Sequence, residues 1–313
     1  VPYTHYTPDD VVLLAFLEDG QERHLLKSVY ADPFSFTFYF TAPSDSTPVI
    51  KGLNFDESSL VTDASVHNDT VTYWVKDTAL LARQDTLSFI LTYLETDTLG
   101  QLVERMDTLD LSPKTTYAKI QAERNKTIEA WEKDRERREK KAKKPLPHEE
   151  NPYRRVWLEA GFKPSGGLDP NQNMRYLAKE PVLSVDSTKL HFYLQKDTNW
   201  LPAPYLFLPD ENSSKTYTLY AEWEPGCKYR FVMDTAAVVS VLGHESKYSK
   251  QEFRVRANDE FGSIFIHVIS PDTGVVVQLL DRSDKVVAKE RADKDGNADF
   301  FYMKPGEYFM RCF

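Results

Sequence analysis

The chain has 313 residues, enough for two or three domains that each bury a core, and 41% hydrophobic with 28% charged residues is the balance of a globular protein. No run approaches the 18 or so apolar residues that a membrane helix needs. The net charge of -9 is unevenly placed: residues 1–113 hold 18 acids and 6 bases, 114–150 hold 8 and 12, and 151–313 hold 22 and 21, so an acidic first part argues against nucleic acid as partner.

Residues VPYTHYTPDD at the start lack a basic segment leading into an apolar one, so no signal peptide is visible there. Period-two alternation then sets in. Phe34, Phe36, Phe38 and Phe40 fall on one strand face, and Val71, Tyr73 and Val75 repeat the pattern, as do Leu87, Phe89, Leu91 and Tyr93. Asp-Thr pairs at 69–70, 77–78, 85–86, 97–98 and 107–108 punctuate these strands, because Asp bonds its own backbone in a turn and β-branched Thr starts a strand. The spacing predicts an acidic β-sandwich over 1–113.

Between Pro113 and Lys144 there is neither Gly nor further Pro. Ser112 is placed to cap a helix with Pro113 in its first turn, and Tyr117, Ile120, Ile128 and Trp131 form a narrow apolar stripe. Acid-then-base pairs four apart (Glu129/Lys133, Asp134/Arg138, Glu136/Lys140 and Glu139/Lys143) support an exposed helix, which Pro145 and Pro147 end. The predicted role of 114–150 is a self-solvated charged spacer, the other reading being a basic handle for an acidic partner or lipid headgroups.

A second sandwich is predicted over 151–258, with inward sets Leu190/Phe192/Leu194, Tyr217/Leu219/Ala221/Trp223, Tyr229/Phe231/Met233 and Phe253/Val255/Ala257. A third β module, 259–313, stops mid-strand at Phe313 and reads as incomplete. Cys227 and Cys312, in separate modules, are predicted to be unpaired thiols.

Chemistry-bearing patterns are sparse. The seven histidines show no metal-ligand spacing, and His191 and His267 fall opposite the apolar sets of their strands. Asp293, Asp295, Asn297 and Asp299 begin like a calcium loop, but Ala298 and Lys304 stand where its Gly and Glu belong, so a hairpin turn is expected. Neither a catalytic motif nor a cofactor motif occurs, and no catalytic, metal or cofactor residue is assigned. Among aromatics that could stack on a sugar (Trp157, Trp200, Trp223, Tyr193 and Tyr220), Trp200 beside Leu201-Pro202-Ala203-Pro204 is the best exposed, in a predicted loop; Trp223 is expected in the core.

The motifs of the second part, Glu180-Pro181-Val182-Leu183, Trp223-Glu224-Pro225-Gly226-Cys227-Lys228-Tyr229, Asp234, Gly243 and Phe253-Arg254-Val255, resemble the bacterial SbsA-type Ig-like domain. Asp295-Gly296 leading through Phe300 and Phe301 to Lys304-Pro305-Gly306-Glu307-Tyr308 resembles the transthyretin-like repeat. In order, the modules are similar to Ig-like domain lipoproteins of Bacteroidetes. That resemblance implies export, an N-terminal lipid-bearing Cys that this sequence does not contain before Val1, and an outer-membrane position, periplasmic or surface-exposed. It carries no catalytic residue. The expected function is a non-catalytic cell-envelope scaffold working through protein contacts with other envelope proteins. A glycan-binding surface protein using Trp200 is the alternative, and a glycan-cleaving enzyme the more remote one.

Overall fold

The computed structural model describes residues 22–142, 147–269 and 274–313. It is mainly β with one long helix, and the chain divides into two compact units, Val1–Glu123 and Arg124–Phe313.

The first unit contains β1 (Leu25–Asp32), β2 (Ser35–Phe40), β3 (Val49–Gly52), β4 (Leu60–Ala64), β5 (Thr70–Val75), β6 (Leu87–Thr96) and β7 (Leu102–Leu111). They form two antiparallel sheets, ordered β1-β2-β5-β4 and β3-β6-β7. This is the seven-strand order of a constant-type immunoglobulin domain. The predicted alternation is what buries the core: Phe36, Phe38, Val71, Val75, Leu87, Phe89 and Leu91 are wholly inside, with Tyr73 and Tyr93 nearly so. Phe36 stacks on both Tyr73 and Phe89, at 5.5 and 5.6 Å between ring centres.

Three of the Asp-Thr pairs do something other than open a strand. Asp77 caps a short helix, α1 (Thr78–Arg83), its carboxylate accepting from the Ala79 N–H, and Leu80 and Leu81 turn into the core. Asp107 lies inside β7, where it accepts from the Tyr93 hydroxyl at 2.7 Å. Asp97 behaves as expected of a turn residue, accepting from the N–H groups of Leu99 and Gln101.

The long helix α2 runs Tyr117–Lys141. Ser112 is not its cap: the Ser112 hydroxyl bonds Thr86, and the N–H groups of Lys114 and Thr115 reach the carbonyls of Tyr30 and Ala31 on β1. The chain therefore pairs with a sheet edge for two more residues, and Thr116 caps instead, its hydroxyl accepting from Lys119 N–H at 3.3 Å. Pairs Glu129/Lys133 and Asp134/Arg138 form as predicted. Lys143, Lys144 and Pro145 lie outside the described residues.

The self-solvated spacer needs correction. Residues 147–155 run back along one face of α2 and clasp it through polar contacts. The Arg124 guanidinium donates to the carbonyls of Tyr153 and Arg154, Asn151 donates to the Ile128 carbonyl, Arg154 pairs with Glu132, and Arg135 pairs with both Glu139 and Glu149. The Arg135 side chain is only 12% exposed.

In the second unit, β8 (Ala160–Lys163), β9 (Met174–Ala178), β10 (Val182–Val185), β11 (Leu190–Lys196), β12 (Asn199–Pro202), β13 (Tyr205–Asp210), β14 (Ser213–Ala221), β15 (Lys228–Met233), β16 (Val238–Ser240) and β17 (Ser249–Arg254) make a second sandwich. Its sheets are ordered β12-β11-β15-β17 and β13-β14-β9-β8, with a β10–β16 ladder beside them. Phe231, Tyr229, Met233, Leu219 and Val255 fill the centre, and Trp223, expected inside it, is only partly buried, packed against the core on Phe192, Tyr229 and Phe253. The Glu224-Pro225-Gly226 turn is tied by Tyr229, whose hydroxyl accepts from Glu224 N–H at 2.7 Å and donates to the Glu222 carbonyl at 3.0 Å. Gly226, at φ +82, sits where a side chain would strain the turn.

The strands β18 (Gly262–His267), β19 (Val276–Leu280), β20 (Val286–Arg291), β21 (Asn297–Met303) and β22 (Phe309–Cys312) form a β18-β21 pair and a β20-β19-β22 sheet around Val277, Leu279, Ala298, Phe300 and Met303. The Tyr308 hydroxyl donates to the Lys304 carbonyl and closes the Lys304–Tyr308 turn. Lys304 also reaches into the second sandwich, where it and Arg256 both pair with the buried Asp169.

Candidate functional site

Trp200 is not in a loop. It lies in edge strand β12, opposite Gln195 of β11, after a two-residue turn whose Asp197 takes a left-handed φ of 54°. The Arg230 guanidinium lies over its ring at 3.9 Å from the centre, held there by Glu252. That leaves Trp200 half-buried with one face occupied by a cation. Of the other aromatics, Tyr193 on β11 shares this outer face, opposite Pro202 and Arg230, whereas Tyr220 is on β14 of the opposite sheet, Trp223 is packed against the core, and Trp157 lies beneath Arg155.

The DKDGNAD stretch is a turn. Asp293 accepts from the N–H groups of Asp295 and Asn297, and these backbone bonds, the one from Asn297 first, hold its carboxyl below the usual range. Gly296 at φ +85 closes it. His267 is exposed, as expected; His191 is only partly so, with its Nε2 3.0 Å from an Asp234 oxygen. Both Cys227 and Cys312 are free thiols.

A cleft of about 860 Å³ in the second sandwich lies elsewhere. Each sheet ends on this side in an edge strand: β8 for one, and for the other β17, whose C-terminal end is bridged by Leu168. Phe162, Tyr176 and Met233 line the floor, and Trp157 closes one end. Tyr176 has its ring wedged 5.3 Å from Phe162 and 6.0 Å from Phe207. The residue is 2% exposed, yet its hydroxyl has no hydrogen-bond partner among the described residues, and burial pushes its pKa well above the ordinary tyrosine range. Around the rim stand Lys163, Lys179 and Lys247, opposed among the lining residues by Glu159 alone. Glu159 is bonded to Lys179, which holds its carboxyl below the usual range. The cleft is therefore an apolar slot with a basic rim.

Sequence reasoning passed over this place because no motif marks it. Its one trace was the order of elements: a four-residue Ala-Gly-Phe-Lys strand is too short and too poor in β-branched residues to stand out.

A scan against protein-family models finds no match, and a search of curated proteins finds none either. Among solved structures, the chain is similar to native alpha-2-macroglobulin from Escherichia coli spanning domains MG0-NIE-MG1. Identity is 10%, with 92% of this chain and 96% of that one covered, at a TM-score of 0.28. The N-terminal part of the bacterial S-layer protein SbsC is 12% identical over 47% of this chain and 44% of its own, at 0.25. The tandem Ig repeats of Dlar are 11% identical over 76% and 100%, at 0.21. Such scores carry no argument, and the immunoglobulin-like assignment of the first unit rests on its own strand order.

Proposed function

We propose that this chain is a non-catalytic scaffold or accessory protein of the cell envelope, exported and associated with the outer membrane, that works through contacts with other envelope proteins. The observation that carries this reading is the basic-rimmed cleft between the edge strands β8 and β17. An open sandwich edge offers backbone donors and acceptors, the means by which sheets recruit another chain. The resemblance to Ig-like lipoproteins supports the location and an N-terminal lipid as anchor. Against the glycan reading stands Arg230, which covers the Trp200 face that a sugar ring would need.

The test pairs two measurements on the purified chain: affinity purification from the envelope fraction of the source cells, and a glycan array. The expected result is a protein retained at stoichiometric yield and no glycan bound. Glycan binding that disappears in Trp200→Ala, with no protein retained, would overturn the proposal.

A further inference from the structure

We propose that the cleft between β8 and β17 accepts one extended strand of a partner protein, a strand carrying an apolar anchor side chain flanked by Asp or Glu. The inference rests on the scaffold reading above and names the chemistry of the partner.

The free backbone groups can be located from the ladders. Lys179 N–H donates to the Glu159 carbonyl at 2.9 Å, which makes 159/179 a hydrogen-bonded pair in the β8–β9 register. Antiparallel pairs alternate, so the N–H and C=O of Ala160 and Phe162 point away from β9, toward the cleft side. On β17 the Val255 N–H to Cys227 carbonyl bond sets the same alternation and turns Lys250, Glu252 and Arg254 outward. The Arg254 carbonyl is already taken by the Leu168 N–H at 2.9 Å. Ala160 and Gly161 keep the β8 rail clear of bulky side chains, and a Cβ added at Gly161 would meet nothing within 4 Å.

The slot fits an anchor. Phe162, Tyr176 and Met233 offer an apolar floor. With Lys179 paired to Glu159, Lys163 and Lys247 select carboxylates beside the anchor. A pairing strand supplies all three needs at once: main-chain bonds along Ala160 and Phe162, an alternate side chain in the slot, and acids at the rim.

The test pans a phage-displayed library of random dodecapeptides on the full chain, followed by calorimetry with the synthesised winners. The expected winners alternate apolar and other residues and carry at least one Asp or Glu. Ala160→Pro, which removes an outward N–H without touching the β8–β9 ladder, should weaken them at least tenfold. So should the double variant Lys163→Glu/Lys247→Glu, and peptides with the acids changed to Lys should recover binding to it. If Ala160→Pro unfolds the sandwich, the charge-reversal rescue alone decides. No enrichment, winners without acids, or undiminished affinity for the variants would overturn the proposal. Self-association of the chain that Ala160→Pro abolishes would also overturn it, assigning the cleft to a second copy. A native envelope partner held equally well by Ala160→Pro would leave the scaffold reading standing and remove this cleft from it.

Discussion

Tyr176→Phe deletes a single oxygen and should make the protein more stable. The ring contacts to Phe162 and Phe207 survive the change. What disappears is a hydroxyl that is buried with no partner among the described residues. An uncompensated buried hydroxyl costs about 1–3 kcal/mol, so removing it should return about 1–2 kcal/mol. In a unit of this size each kcal/mol moves the melting point by about 2–4 °C, so a rise of a few degrees is expected in the second unit's transition. Tyr205→Phe is the control of opposite sign. Its hydroxyl donates to the Leu190 carbonyl at 2.8 Å, and losing that bond should lower the melting point by a similar amount. Differential scanning calorimetry of the three proteins decides. If Tyr176→Phe melts lower, as Tyr205→Phe should, the Tyr176 hydroxyl is satisfied and the reasoning fails.

Other features yield predictions of their own. Arg23 is 1% exposed and its guanidinium serves the carbonyls of Leu94, Ala42 and Asn68 while lying 4.1 Å over the Phe40 ring; Lys cannot span those three, so Arg23→Lys should cost about 2–4 kcal/mol in urea unfolding of the first unit. Asp169→Ala removes the buried partner of Arg256 and Lys304, which keep solvent and, for Arg256, Glu260, and should cost about 2 kcal/mol, whereas Lys304→Ala, at a largely exposed partner, should cost under about 1 kcal/mol. A thiol reagent should label native protein quickly at Cys312, which is exposed, and slowly at Cys227, whose pKa is raised by burial and then by Glu224; zero labels after denaturation would mean a disulfide.

The strands were legible wherever one face is buried, because period-two burial in Phe36, Phe38 and Phe40 or Tyr229, Phe231 and Met233 leaves its mark on composition. Misreadings came where tertiary pairing overrides local preference. Ser112 looks like a cap, but β1 offers Lys114 and Thr115 carbonyls to bond, so the helix waits for Thr116. Trp200 looks like a loop residue because prolines follow it, yet an edge strand tolerates Pro202. The clasp on α2 pairs Arg124 and Arg135 with groups more than ten residues away, which no (i, i+4) pattern can announce. The cleft was invisible for a related reason. It is made by two strands ending on the same side of a sandwich, and strand order is set by long-range pairing.

Hydrogen exchange of the full chain, with and without a bound acidic dodecapeptide, tests the central claim most directly. Amides of Ala160 and Phe162, which face away from β9, should exchange rapidly in the free protein and become protected in the complex, along with those lining β17. Protection confined to β12 around Trp200, with β8 unchanged, would contradict the account.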